Sequence, residues 1–272
     1  MIKKHKFAVL MSIRNEAVWM NNSLKMLYEF VDYEGGVIGL IAITRGLTSW
    51  RNGYKNLDNT EEIIASWIGK FERRGVKIVF TTVDKPDSDE FQRNICLNII
   101  KDKGYEMMLI LDPDEFYHLN DLKKMFNQAN MLGSQECGQV YVYAKSFWKG
   151  MTYCCGVERF GPVIARVDDK TKFSYIRNLD QDNGHTFDFF VYHMTAVKTN
   201  EQMEEKIKGW SHSHEVVKDW WNKKWLAWNV DRMITNLHPV SPELWPRTVK
   251  IDRRELPVVL HDHPYFQRDT VS

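Results

Sequence analysis

Glu106-Met107-Met108-Leu109-Ile110-Leu111-Asp112-Pro113-Asp114-Glu115-Phe116 is the stretch whose reading decides the fold. Met107 to Leu111 form an apolar run of strand length, the pattern of a parallel strand covered on both faces. Pro113 has no N–H to give a ladder, so pairing is expected to stop near Asp112. The carboxylates then lie just past the C-terminal end of a strand, the edge where open α/β sheets bind ligands. Two aspartates one residue apart on such a turn can converge on one divalent cation, which takes oxygen ligands. The plainer alternative is that Asp112 or Asp114 caps a following helix.

Immediately upstream, Glu90 to Lys101 carries apolar residues at helical spacing, with Arg93-Asn94 near its start. A helix opening on Arg-Asn, then an apolar strand, then Asp-x-Asp-Glu resembles the nucleotide-sugar half of family 2 glycosyltransferases, which have the GT-A fold. The resemblance covers roughly Lys6 to His214 and is most specific between Arg93 and Glu115. It implies an α/β, Rossmann-type nucleotide-sugar domain with a mixed central sheet.

The chain before this stretch alternates strand and helix. Lys6 to Ser12, Gly39 to Thr44 and Val76 to Val83 read as strands; Ala17 to Tyr28 and the segment from Thr60 read as helices, the latter capped by Asn59 or Thr60 and ended at Gly75. Three such alternations predict a parallel sheet with helices on both faces. The turn Ser12-Ile13-Arg14-Asn15-Glu16 follows the first strand and faces the ligand edge; in the resembled family an Asn-Glu pair here contacts the nucleotide. After the second strand, many members carry an aspartate pair and Gly-Ser-Thr, whereas this chain has Arg45-Gly46-Leu47-Thr48-Ser49-Trp50. Thr44 stays near the expected site by position. The nucleotide-sugar set is therefore Ser12, Arg14, Asn15, Glu16, Thr44, Arg93 and Asp112.

Downstream, Asn120 to Leu132 reads as a helix and Gln139 to Trp148 as an alternating strand; Gly161 to Val167, Lys172 to Ile176 and Phe187 to Met194 read as further strands, and Asn200 to Ile207 as a helix. His193, ending a strand, matches the metal-binding histidine of the family. With Asp112 and Asp114 it makes a carboxylate–imidazole set that suits Mn²⁺, with Mg²⁺ the other candidate. The organisation expected is a transferase domain over 1–214 (nucleotide-sugar half about 1–118, acceptor half about 119–214) and a helical, Trp-rich extension over 215–272. Trp221, Trp225 and Trp228 fall at helical spacing, which suits core packing first and an aromatic platform for a sugar or base second.

The chemistry implied is transfer of a sugar from a nucleotide diphosphate sugar, UDP-sugar first, to an acceptor hydroxyl of a glycan, lipid or protein, with inversion. Arg14 and Arg93 are candidates for neutralising the diphosphate. A carboxylate base is needed for the acceptor; Asp182, then Glu158 and Asp180, lie in acceptor-side loops. Two alternatives stand beside this: transfer to a hydroxymethylated pyrimidine in DNA, as some viruses encode, and a non-catalytic module that keeps the fold. A net charge of +1 gives no global pull toward nucleic acid. With 43% hydrophobic and 27% charged residues the chain is globular. The four cysteines show no zinc-type spacing, so reduced thiols are expected. The basic start Met1 to Lys6 leads into an apolar run that stops at Ser12, too short for a secretory signal, and no stretch approaches a membrane span. A soluble cytoplasmic protein is expected, in the host cytoplasm if virus-encoded.

Overall fold

The structure is a computed structural model that describes residues 5–31, 38–46, 58–83, 88–136, 138–181, 183–209, 212–232 and 234–271. Leu47 to Trp50 and Asp182, read above from sequence, lie outside them. The elements are β1 (Phe7–Ile13), α1 (Ala17–Val31), β2 (Ile38–Gly46), α2 (Thr60–Glu72), β3 (Lys77–Val83), α3 (Asp89–Asp102), β4 (Met107–Ile110), β5 (Glu115–Phe116), α4 (Leu119–Glu136), β6 (Gln139–Trp148), β7 (Tyr153–Arg166), β8 (Phe173–Tyr175), β9 (Asn178–Leu179), β10 (Gly184–Ala196), α5 (Asn200–Gly209) and β11 (Val249–Lys250).

The chain forms two compact units, Met1–Tyr143 with Arg159–Phe190, and Ala144–Glu158 with Val191–Ser272. The chain passes from the first unit to the second within β6 and β10, and from the second to the first within β7. The sheet order is β3-β2-β1-β4-β7-β6-β10-β5, with β11 added to β7. The first four strands are parallel, and β7 runs antiparallel to β4 with Leu109 opposite Ile164. This is the mixed central sheet of a GT-A-like α/β fold.

Why β1 and β4 sit centrally follows from their side chains. Ala8 and Leu10 of β1, with Met108 and Ile110 of β4, pack into one cluster with Cys96, Leu97 and Ile100 of α3. The opposite face carries Phe7, whose ring lies 4.3 Å from Phe126 of α4, and Phe126 in turn meets Phe30 of α1 at 4.7 Å. Successive side chains point to opposite faces and both faces are covered, so the strand reads as an uninterrupted apolar run. β4 stops at Ile110, and the turn Asp112-Pro113-Asp114 follows its C-terminal end, as Pro113 led one to expect. Neither aspartate caps a helix, because β5 comes next and α4 starts only at Leu119.

Other expectations are corrected. The strand expected over Gly161 to Val167 is the end of a 14-residue strand, β7. Its middle is polar and glycine-containing, which hides the strand pattern, while Gly156 and Gly161 take φ of 152° and 122°, a region open to glycine. Lys172 to Ile176 holds only β8, which pairs with β9 in a separate two-stranded ribbon. The helical, Trp-rich extension expected after α5 is present, its helical part made among the described residues of short 3-10 turns and one six-residue π-helical turn over Trp221–Leu226. The segment 238–264 carries five prolines, each of which lacks a helix N–H.

The second unit is built on tryptophan. Trp148, Trp220, Trp225, Trp228 and Trp245 are all buried together. The rings of Trp148 and Trp225 lie 4.9 Å apart, edge to face. The indole N–H of Trp220 donates to Leu237 O (2.8 Å) and that of Trp225 to Asn200 Oδ1 (2.9 Å), so the polar handles are matched as the rings leave water. Of the three tryptophans at helical spacing, Trp225 and Trp228 are buried in this cluster and the half-buried Trp221 stacks on Trp225 at 6.2 Å, which is core packing. Trp225→Ala should cost about 3–5 kcal/mol, measured by denaturant unfolding.

His238 gives this unit a pH dependence. Its ring lies edge-on to Trp245 at 4.6 Å, and Nδ1 accepts the backbone N–H of Val240 (3.2 Å) and Ser241 (2.9 Å). Burial first, then the charge of Lys206, lowers its pKa from 6.5 to about 4. Between those values the unfolded chain binds a proton that the folded chain refuses. The stabilisation is therefore complete above pH 6.5 and lost as the pH falls to about 4. Unfolding followed by tryptophan fluorescence should show that loss, and His238→Asn, which keeps an acceptor but cannot charge, should flatten it.

Candidate functional site

Helix α3 organises the ligand edge of the first unit. Ser88 caps it, accepting the N–H of Phe91 at 3.3 Å. Positions 89, 92, 93 and 96 share one helical face, and each meets the end of a strand. Asp89 Oδ1 accepts from Arg14 Nη2 at 2.5 Å. Gln92 Oε1 accepts from Ser12 Oγ at 3.1 Å, and its backbone carbonyl accepts from Thr44 Oγ1 at 3.1 Å. Arg93 Nη2 donates to both oxygens of Asp112, each at 2.9 Å. Cys96 is hydrogen-bonded to Thr44 Oγ1, and burial pushes its thiol up to about 12, so it packs rather than reacts. α3 thus meets Ser12, Arg14, Thr44 and Asp112, four of the residues picked from sequence, and itself carries Arg93, a fifth.

Arg93 is only 5% exposed and Gln92 is fully buried. Arg93 Nε and Nη1 and Gln92 Nε2 are buried and meet no hydrogen-bond partner among the described residues. A buried donor left so costs free energy, and most native donors are matched. These donors lie next to one another in sequence on the helix that borders the strand ends.

The carboxylate turn is closed on itself. Glu115 N–H donates to Asp112 O at 3.0 Å, and Asp112 N–H donates to Glu115 Oε2 at 3.2 Å. Glu115 is fully buried and is gripped by both terminal nitrogens of Arg177, Nη2 to Oε2 at 2.8 Å. Arg177 Nη2 also donates to Ile110 O at 2.9 Å, and Nη1 lies 3.9 Å from Asp112 Oδ2. Burial pushes the Glu115 carboxyl up to about 7 against the pull of Arg177, helped by the charges of Asp112 and Asp114.

The β1–α1 turn is held by the start of α2. Asn15 is left-handed, with φ of 51°. Glu16 N–H donates to Thr60 Oγ1, and Ala17 N–H to Asp58 Oδ2, both at 3.1 Å. Asp58, not Asn59, receives the N–H of Thr60, and the side chain of Asn59 makes no cap bond. Arg45 is fully enclosed, donating to Glu61 at 2.9 Å with Asp58 3.7 Å away. Arg45 is thus neutralised by Glu61 of α2 and by Asp58 just ahead of that helix.

Of the acceptor-side residues, Glu158 belongs to the second unit. Its Oε1 takes the hydroxyl of Ser146 at 3.3 Å and the indole N–H of Trp245 at 3.4 Å, and burial raises its pKa. Asp180 is exposed. Asp182 lies outside the described residues. Asp114 is buried in the first unit, whereas His193 lies on β10 in the second.

A divalent cation at this turn would meet the carboxylates of Asp112 and Asp114. Carboxylate oxygens suit one in kind. Yet Arg93 occupies both oxygens of Asp112, and among the described residues no group of three or more His, Cys, Asp or Glu could hold a metal. A cation at this turn would therefore need a ligand's own oxygens to complete its shell.

No protein-family model matches the chain, and no curated protein matches it. Among solved structures it is similar to S. aureus TarS, at 13% identity and a TM-score of 0.45, covering 74% of this chain and 38% of that one. A crystal structure of TarS 1-349 in complex with UDP gives 14%, 0.45, 75% and 64%. Glucosyl-3-phosphoglycerate synthase from Mycobacterium tuberculosis, in complex with Mn²⁺, UDP-glucose and phosphoglyceric acid, gives 14%, 0.32, 54% and 45%. The chain thus spans less than two thirds of these proteins, and its functional reading rests on its own residues.

Sequence reasoning named Arg93 and Asp112 but missed Asp89, Gln92, Asp58 and Arg177. The helical spacing back from Arg93 would have found Asp89, and forward from Asp89 it finds Gln92; Asp58 and Arg177 have no local signal. At Asn15 a left-handed backbone favours Asn or Gly and disfavours branched side chains. Asn15→Gly should keep the melting temperature, and Asn15→Val should cost about 1–2 kcal/mol, measured by thermal unfolding.

Proposed function

We propose that the protein is a glycosyltransferase that moves a sugar from a nucleotide diphosphate sugar, UDP-sugar first, to an acceptor hydroxyl with inversion. The observation that carries this is Arg93: a buried guanidinium, tied to Asp112 at the C-terminal edge of a parallel sheet, with Nε and Nη1 unmatched among the described residues. A planar cation with donors to spare is the chemistry that receives phosphate oxygens. Ser12, Arg14, Asn15, Glu16 and Thr44 would complete the nucleotide-sugar set around α3 and the β1–α1 turn, with Asp112 able to accept from the ribose hydroxyls.

In the reaction the acceptor oxygen forms a bond to the anomeric carbon while the carbon–diphosphate oxygen bond breaks. The electron pair leaves on the diphosphate, and the acceptor's proton passes to a carboxylate. Glu158, Asp180 and Asp182 are the candidates for that base; the raised proton affinity of Glu158 suits the role. Arg93 and Arg14 would hold the diphosphate while charge builds on it. Asp112 and Asp114, together with a ligand's own oxygens, would hold a divalent cation, Mn²⁺ or Mg²⁺, which when bound would supply further neutralisation of the leaving group.

Binding is tested by melting in UDP with and without Mn²⁺. At 100-fold excess over Kd the parent should gain on the order of 5 °C, and Arg93→Ala should lose that gain; no gain for the parent with any nucleoside diphosphate contradicts the reading. Turnover separates an enzyme from a binding module. Asp114→Ala should lower sugar transfer by about 10²-fold or more, with the unfolding midpoint measured beside it because Asp114 is buried. If Asp114→Ala fails and His193→Ala turns over like the parent, His193 has no part in the cation site.

A further inference from the structure

Arg177 is the buried cation that the transfer reaction just described does not use. It sits between β8 and β9, directly after Ile176, whose φ of 42° is strained for a branched side chain. The strain is held by ties to α3. The Asn94 side chain bonds the backbone of Phe173 both ways, at 3.0 Å each, and Lys101 Nζ donates to Thr171 O at 2.7 Å. A rigid hairpin therefore delivers Arg177 to the carboxylate turn.

What Arg177 holds there is specific. The Glu115 Oε2 that takes its Nη2 also accepts the N–H of Asp112, and the same Nη2 fixes the carbonyl of Ile110, where β4 ends. One guanidinium thus spans the residues before and after Asp112. A buried ion pair is a poor stabiliser compared with apolar packing of the same volume, so stability alone gives little reason to keep it.

We propose that Arg177 is a positioning residue for the donor site: through Glu115 and Ile110 O it sets the turn that presents Asp112 to Arg93 and to an incoming diphosphate. This rests on the reading of that turn as a nucleoside diphosphate site. Removing the cation alone strands Glu115, so Arg177→Leu should melt lower. The pair Arg177→Leu with Glu115→Leu removes both charges and should regain much of the melting temperature.

The discriminating readouts are amide hydrogen exchange over residues 111–117 in the ligand-free protein and calorimetric Kd for UDP with Mn²⁺. In the apolar pair the turn should lose protection while β1 and α3 keep theirs, and Kd should weaken at least about tenfold. Arg177→Lys, which keeps the charge but not the fork of donors, should fold and show the same two changes to a smaller degree; it serves if the pair does not fold. Parental protection of the turn together with parental Kd in these variants overturns the proposal. If the parent takes up no nucleoside diphosphate, the reading of the site falls, while the exchange result still decides whether Arg177 holds the turn.

Discussion

A strand with no exposed residue ends in three carboxylates, and that juxtaposition constrains everything around it. Met107 to Ile110 are fully buried, and Glu115 is as well. Charge cannot be left in such a place without partners. Two guanidiniums arrive to meet it, Arg93 from α3 and Arg177 from the β8–β9 ribbon. Each comes from an element that must pack closely on the sheet to reach, so the apolar contacts of α3 and the polar contacts of its outer turn are satisfied by one placement. The ribbon, which adds no strand to the main sheet, is accounted for by the same need.

The two arginines differ in what they have left to give. Arg177 spends both terminal nitrogens on Glu115 and the Ile110 carbonyl, and among the described residues leaves Nε unmatched. Arg93 spends one nitrogen on Asp112 and among the described residues keeps Nε and Nη1 unmatched. Three carboxylates against two guanidiniums leave the turn with excess negative charge if all are ionised. A diphosphate arriving there adds more, which is the physical reason a cation and Arg93 would act together and not in place of each other.

Much of the first unit was legible because its local and long-range demands agree. Met107 to Leu111 announce a covered strand, Pro113 announces its end, and β1 and α3 carry the matching pattern. Gln139 to Trp148 was read with its ends as they stand in β6. What could not be read depends on partners distant in sequence. Arg177 lies 62 residues from Glu115, in a stretch whose composition resembles a loop. Asp58 reaches back to the N–H of Ala17 across 41 residues. The polar middle of β7 hides a strand because backbone pairing, not side-chain burial, carries it. The tryptophans gave a helical spacing, and a π-helical turn over Trp221–Leu226 carries Trp225 into the core, with Trp228 buried two residues beyond it.

The central claim is that Arg93 and the Asp112 turn receive a nucleoside diphosphate. A crystal structure of the protein grown with UDP and Mn²⁺ tests it most directly. The account places the diphosphate within hydrogen-bond distance of Arg93 Nε or Nη1, with the Asp112–Asp114 turn beside it. A nucleotide bound elsewhere, with Arg93 still tied only to Asp112, would contradict it.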